Sequence, residues 1–145
     1  MEKVLILSGS KSDEEIVTKV EGVLSAFGVS YRSEVASAHR NPEKVEMLVK
    51  ESTADVFIAI AGLSAALPGV VASKTIKPVI GVPIDAALGG LDSLLSIAQM
   101  PPNVPVASVG INNGKNAAIL AIEILAISDP ELRQKLVEFK EKLKE

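Results

Sequence analysis

The chain predicts an α/β fold: a parallel sheet covered by helices on both faces, giving three layers. Short runs of Val, Ile and Leu alternate with longer amphipathic segments, the order expected when each strand is followed by a helix that crosses back over the sheet. Val56 to Ile60 is apolar without interruption, as a strand buried on both faces must be. Clusters of Gly, Ser and Pro follow the strand-like runs, and in such sheets ligands bind outside the carboxyl ends of the strands.

The first strand is expected at Val4 to Leu7, followed by the turn Ser8-Gly9-Ser10 and a helix from Asp13 to Phe27. Ser12 with Glu15 three residues on matches a capping box, and Gly28 suits the C-terminal cap. A second strand, about Tyr31 to Ala36, runs into a loop around His39. Asn41 then caps a helix with Pro42 at its first position, extending to about Glu51. The third strand, Val56 to Ile60, leads into Ala61 to Gly69, a stretch of small residues that fits a tight strand-to-helix connection. Val79 to Val82 supplies a fourth strand, Leu91 to Met100 a short helix, Val106 to Val109 a fifth strand and Asn116 to Ile127 an apolar helix.

The last helix, Pro130 to Glu145, is expected to start from an Asp129 cap. It carries an apolar stripe of Leu132, Leu136, Phe139 and Leu143, with Glu131–Lys135 and Glu138–Lys142 pairs on its surface. The stripe fits packing within the chain or a contact with a neighbouring subunit. The subunit contact is the expectation here, because the earlier helices suffice to cover five strands.

At 145 residues with no linker or charge block, residues 1–145 are expected to form a single domain. Fifteen Lys and Arg against eighteen Asp and Glu leave no basic field for nucleic acid, and aromatic residues for base stacking are scarce. Two uncharged stretches, Val56 to Ser73 and Ser93 to Gly114, are broken by Gly and Pro and argue against membrane spans. With no cysteine, and with Met1 leading directly into a strand rather than a signal peptide, a cytoplasmic location is expected.

Chemistry near neutral pH points to His39, the only histidine, since histidine is the side-chain type whose unperturbed pKa lies there. A single His with no Cys builds neither a zinc site nor a Ser-His-Asp triad. Beside Arg40 it suggests a loop site for an anionic substrate, against the plainer alternative of a solvated loop pair. Gly9-Ser10-Lys11-Ser12-Asp13 offers hydroxyls and backbone N–H groups at a helix start that suit a phosphate, although helix capping explains Ser12 equally well. Asp13 would repel a phosphate and is better suited to accept hydrogen bonds from ribose hydroxyls. Arg40 has the fork geometry to clamp a phosphate or carboxylate. Gly62 to Gly69, with Ser64, allows backbone amides to approach a planar ligand or carboxylate closely. Gly89 to Pro101 places hydroxyls at Ser93 and Ser96 and an amide at Gln99 along one helix edge.

Together, Gly9-Ser10-Lys11-Ser12-Asp13, Ser37-Ala38-His39-Arg40-Asn41-Pro42, Leu67-Pro68-Gly69, Gly90-Leu91-Asp92-Ser93-Leu94-Leu95-Ser96-Ile97, Gln99-Met100-Pro101 and Asn116-Ala117-Ala118 resemble one family across nearly the whole chain. It is the N5-carboxyaminoimidazole ribonucleotide mutase and aminoimidazole ribonucleotide carboxylase family of purine biosynthesis. The resemblance implies a flavodoxin-like domain, assembled as a homo-octamer, that forms 4-carboxy-5-aminoimidazole ribonucleotide without metal, biotin, ATP or another cofactor. It implies His39 as the proton carrier and Ser10, Asp13 and Arg40 at the ribose-phosphate end. Ser12, Ser37, Ala38, Gly62, Ser64 and Leu67 would complete the substrate site, and Ala61, Ala65, Ala66 and Leu67 would wall a pocket for CO₂.

Two reactions fit this family: transfer of CO₂ from the N5-carbamate to C4, and direct carboxylation of aminoimidazole ribonucleotide by dissolved CO₂. Many mutases carry a second histidine just before Leu-Pro-Gly, where this chain has Ala66, a feature shared with the direct carboxylases. Arg40, Pro42, Pro68 and Gln99-Met100-Pro101 are mutase-like. A third reading, a flavodoxin-like nucleotide- or flavin-binding module, is disfavoured by the few aromatic rings.

Overall fold

In a computed structural model describing residues 1–145, the strands are β1 (Val4–Ser8), β2 (Tyr31–Val35), β3 (Val56–Ala61), β4 (Val79–Pro83) and β5 (Ala107–Ser108). They pair in parallel in the order β2-β1-β3-β4-β5, with Val4 beside both Tyr31 and Val56 and Phe57 beside Val79. The helices are α1 (Glu14–Ala26), α2 (Pro42–Glu51), α3 (Leu67–Ala72), α4 (Leu91–Ala98), α5 (Gly114–Leu125) and α6 (Pro130–Lys142).

Strand alternation divides the interior in two. Val4, Ile6, Val56, Ile58, Ile60, Ile80 and Val82 face one layer with Ile16, Val20 and Leu24 of α1 and Ala117, Ala118, Ala121 and Ile122 of α5. Leu5, Leu7, Phe57, Ala59 and Val79 face the other, with Val45, Leu48 and Val49 of α2, Val71 of α3 and Ile97 of α4. Both faces of β1 and β3 are therefore dry, which explains their unbroken apolar runs; burying each large aliphatic side chain contributes about 1.5–3 kcal/mol. A Cβ at Gly81 would stand 2.5 Å from Ile97 Cγ2 and 3.2 Å from Pro68 Cγ, so glycine there lets α3 and α4 lie against the sheet.

Local sequence sets several element ends. Asn41 Oδ1 accepts from Lys44 N at 3.2 Å and Asp129 Oδ1 from Leu132 N at 3.1 Å, as their positions predict. Gly28, at φ +71°, closes α1 with Gly28 N donating to Ser25 O and Val29 N to Leu24 O, the paired bonds of a Schellman motif.

Other ends differ from the sequence reading. The Ser12–Glu15 capping box does not form. Instead Ser10 Oγ accepts from Ser12 N at 3.2 Å and opens a 3₁₀ turn, Lys11–Asp13, ahead of α1. The helix α5 begins earlier than Asn116, because Asn113 Oδ1 caps it through Asn116 N. The helix α4 stops at Ala98, where Pro101 and Pro102 oppose continuation. The fifth strand is only two residues long, and the six-residue α3 begins at Leu67, inside the stretch read as the connection from strand to helix.

The apolar stripe of α6 is used chiefly within the chain. Leu132 and Leu136 are buried in the α1–α5 core, and Phe139 meets Phe27 edge to face with centroids 5.4 Å apart. Lys135 Nζ donates to Phe27 O at 3.2 Å, at the end of α1. This corrects the assumption that earlier helices cover the sheet face by themselves: α6 completes that layer, leaving Val137 and Leu143 exposed. Glu131 pairs with Lys135 at 3.9 Å, but Glu138 accepts from Gln134 Nε2 rather than pairing with Lys142. The two uncharged stretches are divided among strands, turns and short helices, and no helix is long and apolar enough to cross a membrane.

Two glycines provide a paired test of this packing. A Cβ at Gly114 would stand 2.9 Å from Ile16 O, whereas one at Gly22 on the surface of α1 meets nothing within 4 Å. Gly114→Ala should cost about 1–3 kcal/mol, and Gly22→Ala should gain about 0.5–1 kcal/mol by removing a helix-interior glycine. Thermal unfolding should show opposite shifts in midpoint, at roughly 3 °C per kcal/mol for a chain of this size.

Candidate active site

The carboxyl ends of β1, β2 and β3 open onto a cleft of about 490 Å³. Its lining includes Ser10, Ser12 and Asp13 after β1, Ser37, Ala38, His39 and Arg40 after β2, and Gly62, Ser64 and Leu67 after β3. These candidate residues of the β1, β2 and β3 loops are thus brought to one place, whereas Ser93, Ser96 and Gln99 are not part of the lining. Residues up to 57 positions apart in sequence meet here because the three parent strands are neighbours in the sheet.

The β1 loop is positioned by Gly9 N donating to Ile60 O at 3.1 Å, which continues the strand pairing beyond β1. Ser10 caps the 3₁₀ turn, and Ser12 Oγ lies 3.0 Å from Ser10 Oγ. Asp13 is buried, and desolvation raises its carboxyl pKa above the ordinary 3.8, partly opposed by a hydrogen bond from the Ser10 backbone. A buried acceptor beside two hydroxyls is better suited to ligand hydroxyls than to a phosphate.

The β2 loop is a compact turn. Asn41 N donates to Ser37 O at 2.9 Å and Arg40 N to Ser37 Oγ at 3.2 Å, so Ser37 fixes the backbone on either side of His39. The His39 side chain is exposed to the cleft and makes no hydrogen bond within the chain, leaving both ring nitrogens available to a ligand. Arg40 Nη2 donates to Gly9 O at 2.9 Å, tying the first loop to the second while the rest of its fork remains exposed.

The β3 loop forms the apolar wall. Ala61, Ala65 and Leu67 are buried and Ala66 partly so, and all four line the cleft. Gly62 is packed so closely that a Cβ would stand 3.3 Å from Ala86 Cβ and 3.4 Å from Ile84 Cβ, which brings the β4 loop against this wall. The turn closes through Ala65 N donating to Gly62 O at 3.0 Å, with Leu63 at φ +53°. For a leucine a positive φ costs on the order of 1–3 kcal/mol.

Leu63 and Ala86 also line the cleft; Leu63 lies within the Gly62 to Gly69 stretch but carries no polar group to single it out, and Ala86 arrives only because β4 is adjacent to β3. The hydroxyls of the Gly89 to Pro101 segment serve structure instead. Buried Ser93 Oγ lies 2.8 Å from Ile84 O and 2.9 Å from Gly90 O, and Ser96 Oγ donates to Asp92 O. No group of three or more His, Asp or Glu side chains converges as a metal-binding cluster.

The model of the AIR carboxylase family matches residues 3–145. The chain belongs to the AIR carboxylase family. Among similar members of the AIR carboxylase family is the N5-carboxyaminoimidazole ribonucleotide mutase of Methanocaldococcus jannaschii, 61% identical over 97% of this chain and 90% of that protein. The protein of the same name from Pyrococcus abyssi is 51% identical over 99% of this chain and 85% of that one. The crystal structure of Treponema denticola PurE superposes with a TM-score of 0.84 at 31% identity, over 97% of this chain and 90% of that chain. The flavodoxin-like three-layer architecture expected from the resemblance is the one found.

The buried Asp13 gives this AIR carboxylase family member a pH signature. A raised pKa means the folded state binds the proton more tightly than the unfolded state, so stability from this group is fully present below 3.8 and is lost as pH rises through the folded-state value. Asp13→Asn should therefore raise the thermal midpoint at pH 7, and the advantage should shrink as pH falls toward 3.8, read from melting curves over that range.

Proposed function

We propose that this protein is an N5-carboxyaminoimidazole ribonucleotide mutase, moving CO₂ from the exocyclic N5-carbamate to C4 of the imidazole in purine biosynthesis. One observation carries the reading: His39 stands in a cleft with polar anchors on one side and small apolar walls on the other, in a chain 61% identical to a protein of that name. The direct carboxylation of aminoimidazole ribonucleotide is the alternative. Ala66 in the cleft wall is its support, but the similar relatives carry the mutase name and do not favour it.

The chain's own residues suffice for the chemistry. The phosphate binds at the Gly9 to Ser12 turn, where Ser10, Ser12 and exposed backbone N–H groups donate, and the Arg40 fork supplies charge. Asp13 accepts from ribose hydroxyls. Ser37, Ala38, Gly62 and Ser64 hold the base and its carboxylate, with the closeness allowed by glycine and alanine.

His39 donates a proton to N5 as the N–C bond breaks, and the bonding pair stays on nitrogen. The freed CO₂ is retained against Ala61, Ala65, Ala66 and Leu67, where proximity replaces a bimolecular encounter. C4 attacks the CO₂ carbon, then gives up its own proton to the now neutral imidazole. One proton is lent and one returned, so the reaction is an isomerisation and needs no cofactor.

Residues 1–145 act in this reading as a single carboxyl-transfer domain in a cytoplasmic homo-octamer, with no nucleic-acid or membrane partner. Gel filtration should give eight chain masses; a monomer would remove the octamer from the proposal.

The reaction test supplies the purified protein with the N5-carbamate in one tube and with aminoimidazole ribonucleotide plus bicarbonate in another, without ATP. Efficient use of the carbamate is expected, whereas use of only the unmodified nucleotide would make the protein a direct carboxylase. His39→Asn should lower kcat by about 10²–10⁴-fold while nucleotide affinity changes little, measured by turnover and by titration calorimetry. Near-normal turnover in that variant would overturn the role given to His39.

A further inference from the structure

Leu63 occupies the second position of the Gly62–Ala65 turn with φ +53°, and Ser64 after it does not share the positive φ. That sign pattern belongs to turns whose second residue is favoured as glycine. Leucine is present despite the strain, yet the residue is 56% exposed, so burial within the chain offers little to offset it. It lines the cleft that holds His39.

Leu88 provides the contrast. It is another leucine at positive φ, +51°, and is 79% exposed, but it does not line this cleft.

We propose that Leu63 is a positioning residue that closes the cleft over released CO₂, keeping it against C4 until the new bond forms. This rests on the carboxyl-transfer reading above. After the N–C bond breaks, CO₂ is neutral and held by no ion pair, so escape into solvent competes with attack by C4. The polar anchors grip the nucleotide and do nothing for the gas. An apolar side chain at the exposed part of the wall excludes water and blocks escape, while glycine would satisfy the same turn and leave that part open.

The test follows the fate of the carboxyl carbon. Carbamate labelled with ¹³C at the carboxyl group is converted in buffer containing unlabelled bicarbonate, and label in the C4 carboxylate is measured by mass spectrometry, corrected for exchange without enzyme. Wild-type protein should retain the label. Leu63→Gly, which relieves the backbone strain, should melt no lower, keep its KM and lose kcat, with the unlabelled product fraction rising roughly fivefold or more. Leu63→Met should restore retention, and Leu88→Gly should leave it unchanged.

Full label retention in Leu63→Gly would overturn the proposal. So would loss of label accompanied by a smaller particle on gel filtration, which would assign Leu63 to a subunit contact. Failure of the wild-type protein to convert the carbamate would instead overturn the carboxyl-transfer reading itself, and this role with it.

Discussion

The site depends on strand pairing that continues past the ends of the strands. Gly9 N donates to Ile60 O, Ala36 N to Ser8 O, Ile84 N to Ala61 O and Asn112 N to Pro83 O, at 2.8–3.1 Å. The first three bonds fix the first residue after β1, β2 and β4 to the neighbouring strand, and the last ties the loop after β5 to the end of β4. Loops so anchored have little freedom in where they begin, and the side chains that follow them are placed by the sheet. The sheet is itself held in register by two dry faces, because a one-residue slip of β1 or β3 would carry every buried side chain into the opposite layer.

On that base the cleft separates two kinds of recognition. Its polar side comes from the β1 and β2 loops, where Ser10, Ser12, Asp13, Ser37 and Arg40 converge and Arg40 joins the two loops through Gly9 O. Its apolar side comes from the β3 loop, lined by Ala61, Ala65, Ala66 and Leu67. In the proposed reaction a nucleotide would use the first and CO₂ the second, and His39 lines the same cleft. Buried Asp13 shows the tension in such a site: desolvation opposes its charge, and a ligand hydroxyl would relieve it.

Much of this was legible in the chain. Continuous apolarity identified β3, and Asn41, Asp129 and Gly28 marked helix ends through chemistry that acts over a few residues. The Ser12–Glu15 pattern does not reveal that Ser10 opens the segment instead, accepting from Ser12 N to start a 3₁₀ turn ahead of the helix. Spacing places the Ser93 hydroxyl along one edge of a helix, but it does not reveal that this residue is fully buried against Ile84 O and Gly90 O. The exposure of a helix edge is set by what packs against it, and that information lies elsewhere in the chain.

Residue type and local spacing were enough to specify the alternation of strands and helices and the loops that line the cleft, and they made His39 the candidate for moving a proton. Tertiary structure decided the rest. Strand order put the loops after β1, β2 and β3 side by side, close packing at Gly62 drew Ala86 toward the wall, and the Phe27–Phe139 contact turned α6 into part of the core. These are contacts between residues far apart in sequence, and they arise only when the whole apolar surface is buried at once.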